Sequence, residues 1–232
     1  MPAYSEDDLK KMIGSELALS DTFQFTCQMC GGCCRKRSEP IVMTGLDVFR
    51  ISQALSIKPD EAIKRFMEGY IGDQSHLPLF VLRERDDGSC SLLRKGRCTV
   101  QTNKPVVCAI HPLGRFFSFE DKKIHYFFYQ GCTKGIKNGK VQTVEEWINS
   151  YNLHDIDAQS EAWATMLKGL TMDMMKVKPE HSPPFLYQIL TIAMYSGYDI
   201  SRDYITQVRE NMKKLQATFD EVFHMKLKFE EI

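Results

Sequence analysis

Cys27-Gln28-Met29-Cys30-Gly31-Gly32-Cys33-Cys34 packs four thiols into eight residues, and no other stretch constrains the chain as much. Thiolates two residues apart converge on one metal centre when the backbone between them forms a tight loop. Gly31 and Gly32 suit such a loop, because without a Cβ they take positive φ and allow close approach. Cys90, Cys98, Cys108 and Cys132 follow, and no cysteine occurs after them. The front of the chain is therefore expected to bind metal.

Compartment decides how such thiols are used. Met1 to Lys11 is polar and acidic, without the basic start and apolar run of a secretory signal. The most apolar later segment, Pro184 to Met194, is far shorter than the roughly 20 residues a membrane span requires. A cytoplasmic, non-membrane protein is expected, and in that compartment clustered cysteines read as metal ligands rather than disulfides. Lys+Arg and Asp+Glu balance at 30 each, so no global field attracts nucleic acid. Arg35, Lys36 and Arg37 are a local basic triplet, read as a solvated loop beside thiolates.

The rest of the chain supplies a frame. Ser5 to Ser20 reads as a short amphipathic helix, and Phe23 and Phe25 as packing at the entrance to the cysteine loop. Pro40 to Met43 is extended, and Thr44 caps a helix carrying Leu46, Val48, Phe49, Ile51, Ala54 and Leu55. Pro59 opens a second helix, expected to run to about Tyr70. Leu77 to Arg85 has strand character and closes at Asp86-Asp87-Gly88-Ser89; Lys95-Gly96-Arg97 makes another turn. Arg115 to Phe119 and Ile124 to Tyr129 form a hairpin. Each late cysteine thus falls at the end of a small element.

From Thr143 the pattern turns helical. Thr143-Val144-Glu145-Glu146 is a capping box opening a region to about Lys176. Pro183-Pro184 starts a helix ending near Gly197, and the last helix begins around Ser201 to Tyr204 and runs to about His224. Met166, Met172, Met174 and Met175 read as core or groove packing. The expected fold is mostly α (α+β), a loop-rich cysteine domain with short antiparallel strands over residues 1–142 and a helical region over 143–232 packed on it. Apolar packing between Phe23 and Cys132 reads as marginal, so that bound metal would supply folding free energy there.

Cys27, Cys30 and Cys33 match three ligands of a ferredoxin-type run. Adjacent side chains diverge, so Cys34 is expected to serve a different centre or edge. If each centre takes four thiolates, Cys27, Cys30 and Cys33 with one remote cysteine, and Cys34 with three others, use all eight. An iron–sulfur cluster, one or two of the 4Fe-4S type, is the first expectation; a closed zinc site is the alternative. His111, three residues after Cys108, is a candidate replacement ligand, although a histidine before proline more often bonds backbone.

Cys27-x-x-Cys30-x-x-Cys33-Cys34, Leu77-Pro78 with Phe80-Val81-Leu82, Gly88-x-Cys90, Gly96-x-Cys98, Lys104-Pro105 and Cys108-x-x-x-Pro112 together carry a resemblance. The chain resembles the YkgJ-type CxxCxxCC cysteine-cluster family over about Phe23 to Gly135. That resemblance implies a zinc- or iron-chelating domain in which Cys27, Cys30, Cys33, Cys34, Cys90, Cys98, Cys108 and Cys132 hold the metal. Relatives often carry Arg after the Cys108 position and an aromatic before the proline, where this chain has Ala109 and His111. The cysteine region is also similar to the flagellin lysine N-methylases, which implies S-adenosylmethionine-dependent protein lysine methyl transfer as a second activity class. No Gly-rich strand–turn–helix for that cofactor stands out. The leading expectation is an iron–sulfur protein with a redox or electron-transfer role toward an unknown redox or client protein. A zinc-stabilised interaction module is the alternative.

Overall fold

The computed structural model describes residues 16–35, 40–128, 133–151, 153, 156–177, 182–224 and 226–227. Cys132, Lys36, Arg37 and residues 5–15 of the expected first helix lie outside the described residues. The fold is α+β, with short antiparallel sheets and a helical C-terminal region.

Where the first helix was expected to end, Glu16–Leu17 is instead a strand, β1. It pairs antiparallel with β9 (Lys123–Phe128), Glu16 opposite Phe127 and Leu17 opposite Tyr126. Strand pairing and the Glu16–His125 contact, 2.7 Å, override helical periodicity there. β8 (Leu113–Ser118) completes this sheet as the expected aromatic hairpin. Next along the chain, β2 (Thr22–Phe25) alternates exposed and buried residues and pairs with β10 (Lys140–Thr143). Phe23 and Phe25 point inward, where Phe25 meets the rings of Trp147 and His111.

α1 (Gly45–Leu55) is the central strut. Thr44 Oγ1 accepts from the Asp47 amide and Asp47 accepts from the Thr44 amide, a reciprocal cap that fixes the helix start. Leu46, Val48, Phe49 and Ile51 are buried, at about 1.5–3 kcal/mol each for complete burial. α2 (Pro59–Phe66) is four residues shorter than its sequence pattern. Met67–Ile71 leaves the helix to become β4, the edge of the sheet β3 (Val42–Met43), β5 (Pro78–Leu82), β4. Arg83 secures the break: its guanidinium donates to the carbonyls of Lys64, Arg65 and Met67. These carbonyls at the helix end gain donors that a longer helix would have supplied internally.

β6 (Leu93–Arg94) and β7 (Arg97–Cys98) form the expected small hairpin, and α3 (Val106–Ile110) and α4 (Thr133–Lys137) are single turns. The later helices are α5 (Val144–Asn149), α6 (Ile156–Met174), α7 (Pro184–Thr191) and α8 (Tyr204–Phe223). α7 continues into a wide π-type turn, Ile192–Ser196. Gly197 ends it with φ −82°, so the left-handed terminator expected there is absent. Thr143 and Asp203 cap α5 and α8 through side-chain oxygens. Of the methionine patch, Met166 and Met174 are sealed in the core, while Met172 and Met175 are exposed. The apolar core is continuous, running from Phe23 through Ile51, Leu92 and Ile110 to Met166, Leu190 and Phe219. Leu46, Val48, Phe49 and Ile51 of α1 and Leu82 of β5 join this core beside the cysteine segments.

Candidate metal centre

The cysteine loop is built from two left-handed residues and one tight turn. Met29 (φ 47°) and Gly31 (φ 70°) reverse the backbone, and Gly32–Cys34 forms a single 3-10 turn. Gly32 does not share the positive φ expected of it; Met29 takes that role. Glycine suits Gly31 because of its positive φ, and the absent Cβ leaves room for the Arg35 guanidinium. That guanidinium donates to the Cys30 carbonyl at 3.3 Å and ties the loop to its own exit. The exit pairs with the second cysteine segment: Cys90 N–H donates to the Cys34 carbonyl at 2.8 Å, and Arg35 bridges to Ser89. Arg85 grips the next turn by donating to the carbonyls of Ser91 and Leu93.

α1 holds the third cysteine segment from the other side. Asp47 Oδ1 accepts from the Val106 amide at 2.7 Å, while Arg50 donates to the Lys104 carbonyl at 3.1 Å and to the Tyr151 carbonyl. Burial pushes the Asp47 carboxyl upward, against the pull of its Thr44 and Val106 hydrogen bonds and of Arg50. Cys108 sits inside α3 rather than at the end of an element, so its position is set by the bond of Asp47 to Val106, two residues before Cys108. Trp147 donates to the Ile110 carbonyl at 2.9 Å and closes α3 from the C-terminal side.

These supports bring Cys27, Cys30, Cys33, Cys34, Cys90, Cys98 and Cys108 to the wall of one cavity of about 170 Å³. His111, Lys104, Gln101 and Tyr151 line it too. Cys33 and Cys34 do not diverge: their sulfurs are 4.0 Å apart and both face this cavity, because a 3-10 turn splays neighbours less than a strand does. Among the described residues, no three His, Cys, Asp or Glu side chains are drawn together at metal-holding geometry. Lining a shared cavity is the more durable property, since a cysteine sulfur swings between staggered positions about one bond.

The electrostatics suit a cation. Its hydrogen bond with Cys33, then burial, then the neighbouring thiols hold the Cys34 thiol far above the ordinary range. Burial pushes Cys108 up as well, with Cys90, Asp47 and Cys33 adding to it, and burial also raises Cys98. Crowded thiols resist becoming thiolates together, and a bound cation reverses that preference. Lys104 is 7% exposed, with Nζ 3.8 Å from Cys27 Sγ and 5.1 Å above the Tyr151 ring. Burial disfavours its charge, but Tyr151, Cys27, Cys98 and Cys108 outweigh that and hold the ammonium above its ordinary value. Gln101 Nε2 is 4.0 Å from the same sulfur. His111 Nε2 is buried without a hydrogen-bond partner, contrary to the expected backbone bond, and burial and Lys104 keep the ring neutral. A soft sulfur donor set with a neutral imidazole and second contacts to one sulfur fits a thiophilic metal.

Fold and cavity together set seven thiols around one pocket, as a cysteine-cluster metal-chelating domain requires. Residues 26–133 match the family model CxxCxxCC, described as "putative zinc- or iron-chelating domain". No curated protein and no solved structure matches the chain. No helix among the described residues is long and apolar enough to cross a membrane. Lys104 appears in the sequence only as half of a Lys-Pro pair, and Asp47, Arg50, Gln101 and Tyr151 carry no spacing signal for the site. Their roles arise from contacts across 54 to 101 residues of chain.

Proposed function

We propose that the cavity holds a thiolate-ligated iron–sulfur centre and that the protein transfers electrons to or from a partner protein. One observation carries this reading: seven thiols line a single cavity, where a tetrahedral zinc ion uses four ligands. Cys27, Cys30, Cys33, Cys34, Cys90, Cys98 and Cys108 would supply the ligands, with Cys132 as an eighth from outside the described residues. An iron–sulfur centre at this position would supply one-electron chemistry. The chain's own contributions are local. Lys104 and Gln101 offset negative charge at Cys27, which raises a reduction potential. Exposed Cys30 and Cys33 keep one side of the centre near solvent, as exchange with a partner requires.

The test is the chromophore of protein purified without oxygen. A brown protein with iron and acid-labile sulfide in equal amounts is expected. Colourless protein holding stoichiometric zinc and no sulfide, even after anaerobic reconstitution, would replace this reading with a structural zinc site.

A further inference from the structure

The β6–β7 hairpin contains a feature that folding alone does not explain. Arg94 and Arg97 are directly opposite each other in its register, and both are exposed. Like charges facing across a strand pair are destabilising. Lys95 occupies the first turn position at φ 48°, where Asn, Asp or Gly is favoured, with Gly96 following at φ 76°. The tip thus presents three cations in four residues. Arg35 adds a fourth: Gly96 packs on the Gly31 loop, and Arg35 Nη2 lies 3.8 Å from where a Gly96 Cβ would be. Among the described residues none of these four is in an ion pair. Arg35 is the weakest of the influences on the Asp87 carboxyl.

This cluster stands at the mouth of the cysteine cavity, which Gly31 and Gly96 line. Met29 and Val107 line the same mouth and are exposed at 50% and 48%. An exposed apolar centre flanked by charge is the anatomy of a protein-docking patch. A nucleic-acid track needs cations spaced along a groove, whereas these form one compact group in a chain of zero net charge.

We infer that Arg35, Arg94, Lys95 and Arg97 form a docking rim for a partner protein with an acidic surface, received over Met29 and Val107 beside the metal cavity. This builds on the reading of the cavity as a centre that exchanges with a partner, but its test uses no metal signal. Rim charges act on encounter rate and orientation, so the interaction weakens steeply with salt.

The probe is a fluorescent oligoglutamate peptide, titrated with full-length protein at low salt and followed by anisotropy. The protein is used as purified and again after chelation. The expected result is salt-sensitive binding that weakens about tenfold or more in the triple variant Arg94→Glu, Lys95→Glu, Arg97→Glu. Arg94→Gln with Arg97→Gln should weaken it less, and circular dichroism should show both variants folded. Lys213→Glu with Lys214→Glu, on an exposed stretch of α8, should leave binding unchanged. Three results would overturn the inference: no binding at low salt, equal loss in the α8 variant, or tighter binding of a DNA duplex through the same residues. Stoichiometric zinc without iron or sulfide in the protein as purified, with peptide binding intact, would count against the iron–sulfur reading alone.

Discussion

The cysteine region and the C-terminal helices are sealed in different ways. Among the described residues, the buried polar groups of the cysteine half are Asp47, Arg50, Ser52, Ser89, Ser91, Lys104 and Gln142; those of the later helices are Asp173 and Gln207. Met166, Leu170, Met174, Leu190, Met194 and Phe219 fill the helical half with no measurable exposure. Both halves share one apolar core, and the cysteine half adds buried hydrogen bonds that set where its short segments lie. Buried polar groups cost stability unless they are satisfied, and here they fix loops that carry sulfur. The difference separates a scaffold from a site.

That contrast gives mutations of unlike consequence. Leu170→Ala in α6 should cost about 2–5 kcal/mol in urea unfolding, because a fully buried side chain leaves a cavity. Metal per folded molecule should not change; a loss of metal in this variant would break the division. Asp47→Ala should cost about 3 kcal/mol, since the Thr44 amide and hydroxyl and the Val106 amide all lose their acceptor. Unlike Leu170→Ala, it should also release the segment after Lys104 to protease and lower metal content. Retention of both metal and protease resistance would show that α1 does not position Cys108.

Lys104→Met sharpens the comparison further. It keeps the buried stem and removes the ammonium 3.8 Å from Cys27 Sγ. Metal affinity should fall about tenfold while the unfolding midpoint hardly moves, as for other partners of metal ligands. An unchanged affinity in a chelator competition would reduce Lys104 to packing.

The smallest effect is expected far from the cavity. His125 lies between Glu16 at 2.7 Å and Asp121 at 3.1 Å, and hydrogen bonds to these carboxylates raise it above its ordinary 6.5. With a folded value above the unfolded one, its contribution is complete below the unfolded value and is lost as pH rises through the folded value. Amide exchange at Leu17 in β1 should therefore speed up, beyond its intrinsic rise with pH, over that interval above 6.5. His125→Gln should abolish this extra acceleration; a wild-type profile in the variant would refute the clasp.

How much of this was legible in the sequence depends on the range of each cause. Thr44 and Thr143 cap as their neighbours imply, and the two hairpins close where Lys95-Gly96 and Glu120 to Lys123 require, because those signals are local. The end of α2 at Phe66 is not local: β5 takes Met67 to Ile71 as a partner, and Arg83 supplies the carbonyls' donors. The thiols announce themselves by spacing, yet the fact that Cys33 and Cys34 share a cavity follows from a 3-10 turn that spacing does not encode. Asp47 carries no sequence signal for the site, and its bond to the Val106 amide spans 59 residues. The polar frame of the site was therefore the least legible part.

The measurement closest to the central claim is hydrogen exchange on the full-length protein before and after anaerobic chelation. The loop around Cys27 to Arg35 rests on few hydrogen bonds and two exposed cysteines, so bound metal should be its main restraint. The expected result is loss of protection in residues 27–35 and 98–108 after chelation, with α1 and α8 protected as before. Unchanged exchange in those two segments, or a uniform loss that includes α8, would contradict a metal-held site standing on an independently sealed scaffold.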